Sequence, residues 1–226
     1  MTQNKVDFSL YIITDADVSR GRMHQEVVRL ALEGGATVVH YRDPGATVRR
    51  MLDIGGQLRE LTRKHNAAFI VNDRPDIAIA LSADGVHVGP DDMPADVVRQ
   101  VVGPDMLIGV SVDDRREAQK AEAAGADYLA ARPVFRTRWH TDRRPTMGTA
   151  GLREIVNAVG IPVIGAGGIN DDNLAEVFQT GIAGLAITSA IASADDPREA
   201  AEHLRRLLDP FRTPHVDAAA QQDAPT

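Results

Sequence analysis

The chain has no cysteine, a single tryptophan and only 4% aromatic residues among its 226 positions. Without thiols there are no disulfides, no thiolate metal sites and no cysteine nucleophile. Such a chain is compatible with a reducing compartment, and cytoplasmic location is the expectation. Long hydrophobic runs are also missing; none approaches the roughly 20 apolar residues that a membrane-spanning helix needs. The opening segment, MTQNKVDFSLYIITD, lacks the charged-then-apolar order of a secretory signal. Positive charge is scarce, with 25 Lys and Arg against 32 Asp and Glu for a formal net charge of −7. That balance argues against a nucleic-acid partner. What is present, 43% hydrophobic and 25% charged residues, is an ordinary globular composition.

Short apolar runs alternate with segments of helical period. Strands are expected at 10–15, 37–42, 68–72, 85–89, 107–112, 127–132, 162–167 and 184–189, each rich in Val, Ile, Leu and Ala. Amphipathic stretches such as QEVVRLALEGG, ADVVRQVVG and EAQKAEAAGA lie between them. Eight such units in this length point to a single-domain (β/α)8 TIM barrel over residues 1–211, in preference to an open doubly wound sheet. EGGATVVHY, SADGVHVG, EAAGADYLAA and QTGIAGLAIT repeat a glycine at a helix end before a strand. The tail, 212–226, has no periodic apolar face and is expected to be disordered.

In such a barrel the chemistry sits at the C-terminal strand ends. Asn72 and Asp73 end the third strand, and Asp91 and Asp92 follow the fourth. Neighbouring strand ends bring Asp73 and Asp92 to one site. Two carboxylates suit Mg²⁺, which keeps several waters and takes its other ligands from substrate phosphates. The same aspartates also suit caps for helices beginning near Pro75 and Pro94. Gly167, Gly168, Thr188 and Ser189 follow the last two strands, where these barrels bind phosphate through backbone N–H groups and a short helix N-terminus. Small phosphorylated substrates are therefore the expected partners.

Arg42 reads as a bidentate phosphate clamp or as a rim salt bridge to Asp43 or another loop acid. Ser111 reads as a substrate hydrogen-bonder or as a hydroxyl with a local bond only. His40 and His87 lie on strands, where a buried, hydrogen-bonded histidine is more common than a ligand. After the sixth strand, RPVFRTRWHTDRRPTMG gathers five arginines, a histidine and the tryptophan in one loop of an acidic chain. Nothing in the sequence specifies a homo-oligomer or excludes one.

From about Leu10 to Leu208 the chain resembles the thiamine phosphate synthase family. The resemblance is carried by YIITD, VNDRPDIAIALSADGVHVGPDDMP, IGVSV, EAAGADYLAARPVF, IPVIGAGGIN and GLAITSAIASADDP. It implies a TIM-barrel transferase that couples hydroxymethylpyrimidine diphosphate to a thiazole phosphate. Pyrophosphate leaves with Mg²⁺ assistance, and the thiazole nitrogen captures the pyrimidine-methyl cation. It further implies that Asp73 and Asp92 hold Mg²⁺ and that Arg42, Asn72 and Ser111 meet the pyrimidine diphosphate, with Arg42 and Ser111 catalytic. Thr137, Gly168, Thr188 and Ser189 match the thiazole-phosphate side, with Gly167 beside them.

The chain departs from the family pattern at several of these positions. His40 stands in place of a glutamine, Pro44 in place of a lysine, and Pro90 in place of another glutamine. In the sixth loop Arg132 replaces glycine, Trp139 a threonine and His140 a second lysine. His40 and His140 are counted with the substrate-binding residues. Arg136, Arg138, Arg143 or Arg144 could supply the missing cations. The competing expectation is a diverged isomerase, another enzyme of phosphorylated heterocycles, or a non-catalytic phosphate-binding barrel.

Overall fold

In the computed structural model, which describes residues 6–137 and 145–211, eight parallel strands close into a barrel in chain order. They are β1 (Leu10–Ile13), β2 (Val38–Tyr41), β3 (Ala68–Asn72), β4 (Gly85–Val88), β5 (Leu107–Val112), β6 (Tyr128–Ala131), β7 (Val163–Ala166) and β8 (Gly184–Ile187). β1 pairs with both β2 and β8, which closes the sheet and leaves no edge. All eight expected strands are present. Six are shorter than expected: all six stop before the last expected residue, so that Asp15, Arg42 and Arg132 stand beyond the strand ends at the mouth, and β2, β6 and β7 also start one residue later.

The connecting helices are α1 (His24–Glu33), α2 (Val48–Lys64), α3 (Pro75–Ala80), α4 (Ala95–Val102), α5 (Arg115–Ala123), α6 (Gly148–Val156) and α7 (Leu174–Phe178). A four-residue α8 (Ser189–Ala192) precedes α9 (Pro197–Leu208). Where helix starts carry caps, the side chain does the work: Thr47, Asp114 and Asp196 accept from backbone N–H groups of α2, α5 and α9.

Alternation along each strand sorts side chains into two layers. Val39, Tyr41, Phe69, Val71, Ile108 and Leu129 pack outward against Leu58, Val98, Leu152 and Leu204 of the helices. Each fully buried aliphatic side chain in that layer contributes about 1.5–3 kcal/mol. Tyr11, Val38, Ile70, Tyr128, Ala130 and Ile164 instead fill the barrel interior.

At the lower end, Asp84 and Asp127 each tie a helix to the start of a strand. Asp84 takes both Nη groups of Arg59, at 2.6 and 2.9 Å, and the Phe69 N–H at 2.7 Å. Asp127 takes Arg99 at 2.5 Å and the Ile108 N–H at 2.8 Å. The glycine signal at helix ends holds for Gly35, Gly125 and Gly181, at φ of 97°, 91° and 92°. It fails after α3, where Ser82 takes the left-handed position at φ 49° and Gly85 opens β4 instead. A Cβ on Gly85 would lie 2.8 Å from Leu107, so that glycine serves close packing. Among the described residues no helix is long and apolar enough to cross a membrane. The 212–226 tail, and Arg138, Trp139, His140, Arg143 and Arg144 of the sixth loop, lie outside the described residues.

Candidate active site

A cavity of about 550 Å³ opens at the C-terminal ends of the strands, and Arg42, Asn72, Asp73, Asp92 and Ser111 line it together with Thr137, Gly167, Gly168, Thr188 and Ser189. Strand register accounts for much of this. Asn72 lies beside His87, and His87 beside Gly109, so inward residues of β3, β4 and β5 come level.

On the β2–β5 arc the wall is made of side chains. Arg42 is held at its backbone N–H by Thr14 Oγ1 at 2.9 Å, and its Nη1 donates to Asp15 Oδ2 at 2.8 Å. The rim salt bridge is therefore real, but its partner is Asp15, which also lines the cavity. Asp43 turns elsewhere, to His24 at 3.3 Å and Arg50 at 3.6 Å.

Neither aspartate caps a helix. α3 starts after Arg74 and α4 after Pro94, both without a side-chain cap. Asp73 sits in left-handed backbone at φ 51°, which an aspartate tolerates better than most residues. Its Oδ2 accepts from Asn72 Nδ2 at 2.9 Å, while Asp92 Oδ2 accepts the Gly89 N–H at 2.7 Å. Burial, followed by the negative charge of Asp92, raises the pKa of Asp73. The two carboxylates therefore feel each other across one site, a repulsion that a cation would relieve. Among the described residues no cluster of three or more acidic or histidine side chains forms a metal cage. Two carboxylates are the kind of donor set that Mg²⁺, which keeps several of its waters, takes from a protein.

On the β7–β8 arc the wall is backbone. Gly167 and Gly168 both take left-handed φ, 89° and 69°. A Cβ on Gly168 would fall 2.7 Å from the carbonyl carbon of Phe135, so the β6 loop can close over β7 only because that atom is absent. The loops are stitched together by Val134 N–H to Ala166 O at 2.9 Å and Phe135 N–H to Gly167 O at 3.0 Å. Thr188 is the residue before α8 and Ser189 its first.

The floor carries residues whose connection sequence reasoning missed. His40 and His87 are buried, as read from the sequence, but they belong to one network with Tyr11 of β1 and Tyr128 of β6. Tyr11 Oη lies 3.0 Å from His40 Nδ1 and 2.9 Å from Tyr128 Oη, which is 3.1 Å from His87 Nδ1. His87 Nε2 meets Ser111 Oγ at 2.9 Å, and Ser111 Oγ accepts from Arg132 Nε at 2.9 Å. His40 Nε2 meets Asn72 Oδ1 at 2.9 Å. Burial first of all lowers the pKa of His40 to about 3 and that of His87 well below its usual value; it raises both tyrosines. Gly109 makes room, since a Cβ there would strike the Tyr128 ring and lie 2.5 Å from His87 Nδ1. Arg132 lines the cavity whereas Arg136, the other described arginine of that loop, is exposed and does not. A basic residue one position past an inward-facing strand is the signal that could have singled out Arg132.

A closed (β/α)8 barrel with paired carboxylates on one arc of its mouth and a glycine turn on the other defines a TIM-barrel protein with its candidate site at the C-terminal strand ends. Comparison with known proteins narrows this class. The family model described as thiamine monophosphate synthase matches residues 10–191. A curated thiamine-phosphate synthase of Chloroflexus aurantiacus is 47% identical over 203 residues, covering 90% of this chain and 94% of that protein. One from Pyrococcus furiosus is 48% identical over 200 residues, covering 88% and 94%. A solved thiamine phosphate pyrophosphorylase from Pyrococcus furiosus superposes with a TM-score of 0.85 at 46% identity, over 91% of this chain and 98% of that one. The chain belongs to the thiamine monophosphate synthase family.

Proposed function

We infer that this protein is a thiamine-phosphate synthase, a transferase that joins hydroxymethylpyrimidine diphosphate to a thiazole phosphate and releases pyrophosphate. The observation that carries the reading is the meeting, in one cavity, of Arg42, Asn72, Asp73, Asp92 and Ser111 with the Gly167–Gly168 turn and Ser189. Nearly half the residues are identical to those of curated synthases over about nine-tenths of the chain, which supports the same activity.

The residues divide the work. Asp73 and Asp92 would hold Mg²⁺, which when bound neutralises the diphosphate and makes it a better leaving group. Arg42 directs N–H donors at the diphosphate oxygens, and Arg132 adds a second cation on the same side. Asn72 and Ser111 hold the polar edge of the pyrimidine. Backbone N–H groups at Gly167 and Gly168, with the Ser189 hydroxyl and Thr137, hold the thiazole phosphate. The methylene C–O bond breaks with its electron pair leaving on pyrophosphate, and the thiazole nitrogen lone pair then forms the C–N bond. Ile13, Ile164, Ile169 and Ile187 line the remaining wall and limit the water that would otherwise trap the cation. Magnesium dependence and cytoplasmic location belong to this same reading.

Pro44, at the position where the resemblance implies a lysine, does not leave the cavity without cations, because Arg42 and Arg132 both line it. No observation favours the diverged-isomerase or binding-only alternatives. The test is a coupling assay with both precursors and Mg²⁺. Formation of thiamine phosphate and pyrophosphate in equal amounts is expected, and ligand binding without product would defeat the reading.

A further inference from the structure

The seven floor contacts have a single self-consistent direction. Asp73 is an acceptor, so the Asn72 amide must present Nδ2 to it and Oδ1 to His40. Facing an acceptor, neutral His40 must carry its proton on Nε2, which leaves Nδ1 to accept from the Tyr11 hydroxyl. The single hydrogen of Tyr11 is then used, so Tyr128 donates to Tyr11. The single hydrogen of Tyr128 is used in turn, so His87 must donate from Nδ1 and accept at Nε2 from Ser111. Ser111 Oγ is left accepting, and there it meets Arg132, which can only donate. A run of bonds assigned from the carboxylate end thus arrives at the cation with the correct sense. Both histidines being buried and neutral agrees with this.

We propose that Tyr128 is a positioning and specificity-determining residue: it fixes His87 as the Nδ1–H tautomer, and so compels Ser111 to face a bound heterocycle as a hydrogen-bond acceptor while Asn72 faces it as a donor. Ser111 keeps one lone pair, and Asn72 one N–H, on the lining of the cavity. A ring with an exocyclic amine beside a ring nitrogen matches that pattern. A ring with a carbonyl in the amine's place would set acceptor against acceptor. Hydrogen-bonding sites reject such analogues strongly, because the mismatch leaves buried polar groups unpaired. This inference about substrate choice rests on the synthase reading; the direction of the chain does not.

Two-bond ¹H–¹⁵N correlation spectra of the ligand-free protein, with His40 and His87 assigned from single replacements, test the chain directly. The expected result is opposite tautomers, Nε2–H for His40 and Nδ1–H for His87. Tyr128→Phe removes the acceptor for His87 Nδ1–H but leaves Asn72 in control of His40. It should therefore flip His87 alone to Nε2–H, release Ser111 to donate, and lower the preference for the amino- over the oxo-pyrimidine diphosphate by about tenfold or more in kcat/KM. A merely structural tyrosine would change stability without flipping one histidine. The proposal is overturned if the two histidines share a tautomer in the native protein, or if Tyr128→Phe leaves His87 and the discrimination as they were. If neither diphosphate is turned over, the synthase reading fails and the substrate-choice inference falls with it, whereas the native spectrum still decides whether the chain runs as described.

Discussion

On the β2–β5 arc the cavity wall is built from charged and polar side chains that hold one another, Arg42 on Asp15, Asn72 on Asp73, Ser111 on His87 and Arg132. On the β7–β8 arc it is built from main chain, two left-handed glycines and the start of a one-turn helix. The difference has consequences for how each arc can change. A side-chain site can be rewired one residue at a time, since each of these side chains can be replaced without moving the strand that carries it. A backbone site depends on atoms being absent, so almost any replacement at Gly168 damages the site and the loop packing together.

Replacements on the two arcs should therefore fail in different ways. The largest effect is expected for Asp92→Ala, a fall in turnover of about 10²–10³-fold with the fold intact, because the variant would lose a ligand of the cation proposed to offset charge on the leaving pyrophosphate. Circular dichroism and thermal melting check the second half; a loss of folding would make the Asp92 bond to Gly89 structural. Gly168→Ala comes next and should mix the two outcomes. Its KM for the thiazole phosphate should rise at least about tenfold, and urea denaturation should show a loss of at least about 1–3 kcal/mol, from strain at φ 69° together with a Cβ that meets the Phe135 backbone. Ser189→Ala should raise the same KM about tenfold with no change in the denaturation midpoint, since one hydrogen bond to a charged group is removed at a partly exposed position.

The smallest effect at neutral pH is on stability. Burial holds His40 at about 3, against roughly 6.5 when unfolded, so between those values the unfolded chain binds the extra proton. Stability is therefore complete above about pH 6.5 and falls on acidification by up to about 1.4 kcal/mol per pH unit for each such histidine. His40→Gln keeps one donor and one acceptor but has nothing to protonate. Urea titrations at pH 7 and pH 5 should show a smaller acid loss in the variant than in the native chain, and equal losses would contradict the assignment.

These contrasts also explain what could be read from the sequence. Eight apolar runs and their helical spacers were enough for the barrel, because a strand covered on both faces must be continuously apolar. The strand-end rule then brought out Asp73, Asp92, Arg42, Gly168 and Ser189, and all line one cavity. The floor was legible only residue by residue. Tyr11, His40, His87 and Tyr128 come from four strands, and Tyr11 and Tyr128 are 117 positions apart. Period-two patterning says that each faces inward or outward, but not which ring atoms meet. Asp15 as the partner of Arg42 was missed for the same reason, since the sequence neighbour Asp43 is drawn off by His24 and Arg50.

The most direct test of the two-arc account is a crystal structure with thiamine phosphate, pyrophosphate and Mg²⁺ bound. It should place pyrophosphate against Arg42, Arg132, Asp73 and Asp92, and the phosphate ester of the product on the Gly167–Gly168 turn and Ser189. Pyrophosphate on the glycine turn, or a phosphate ester held by the carboxylate arc, would contradict it.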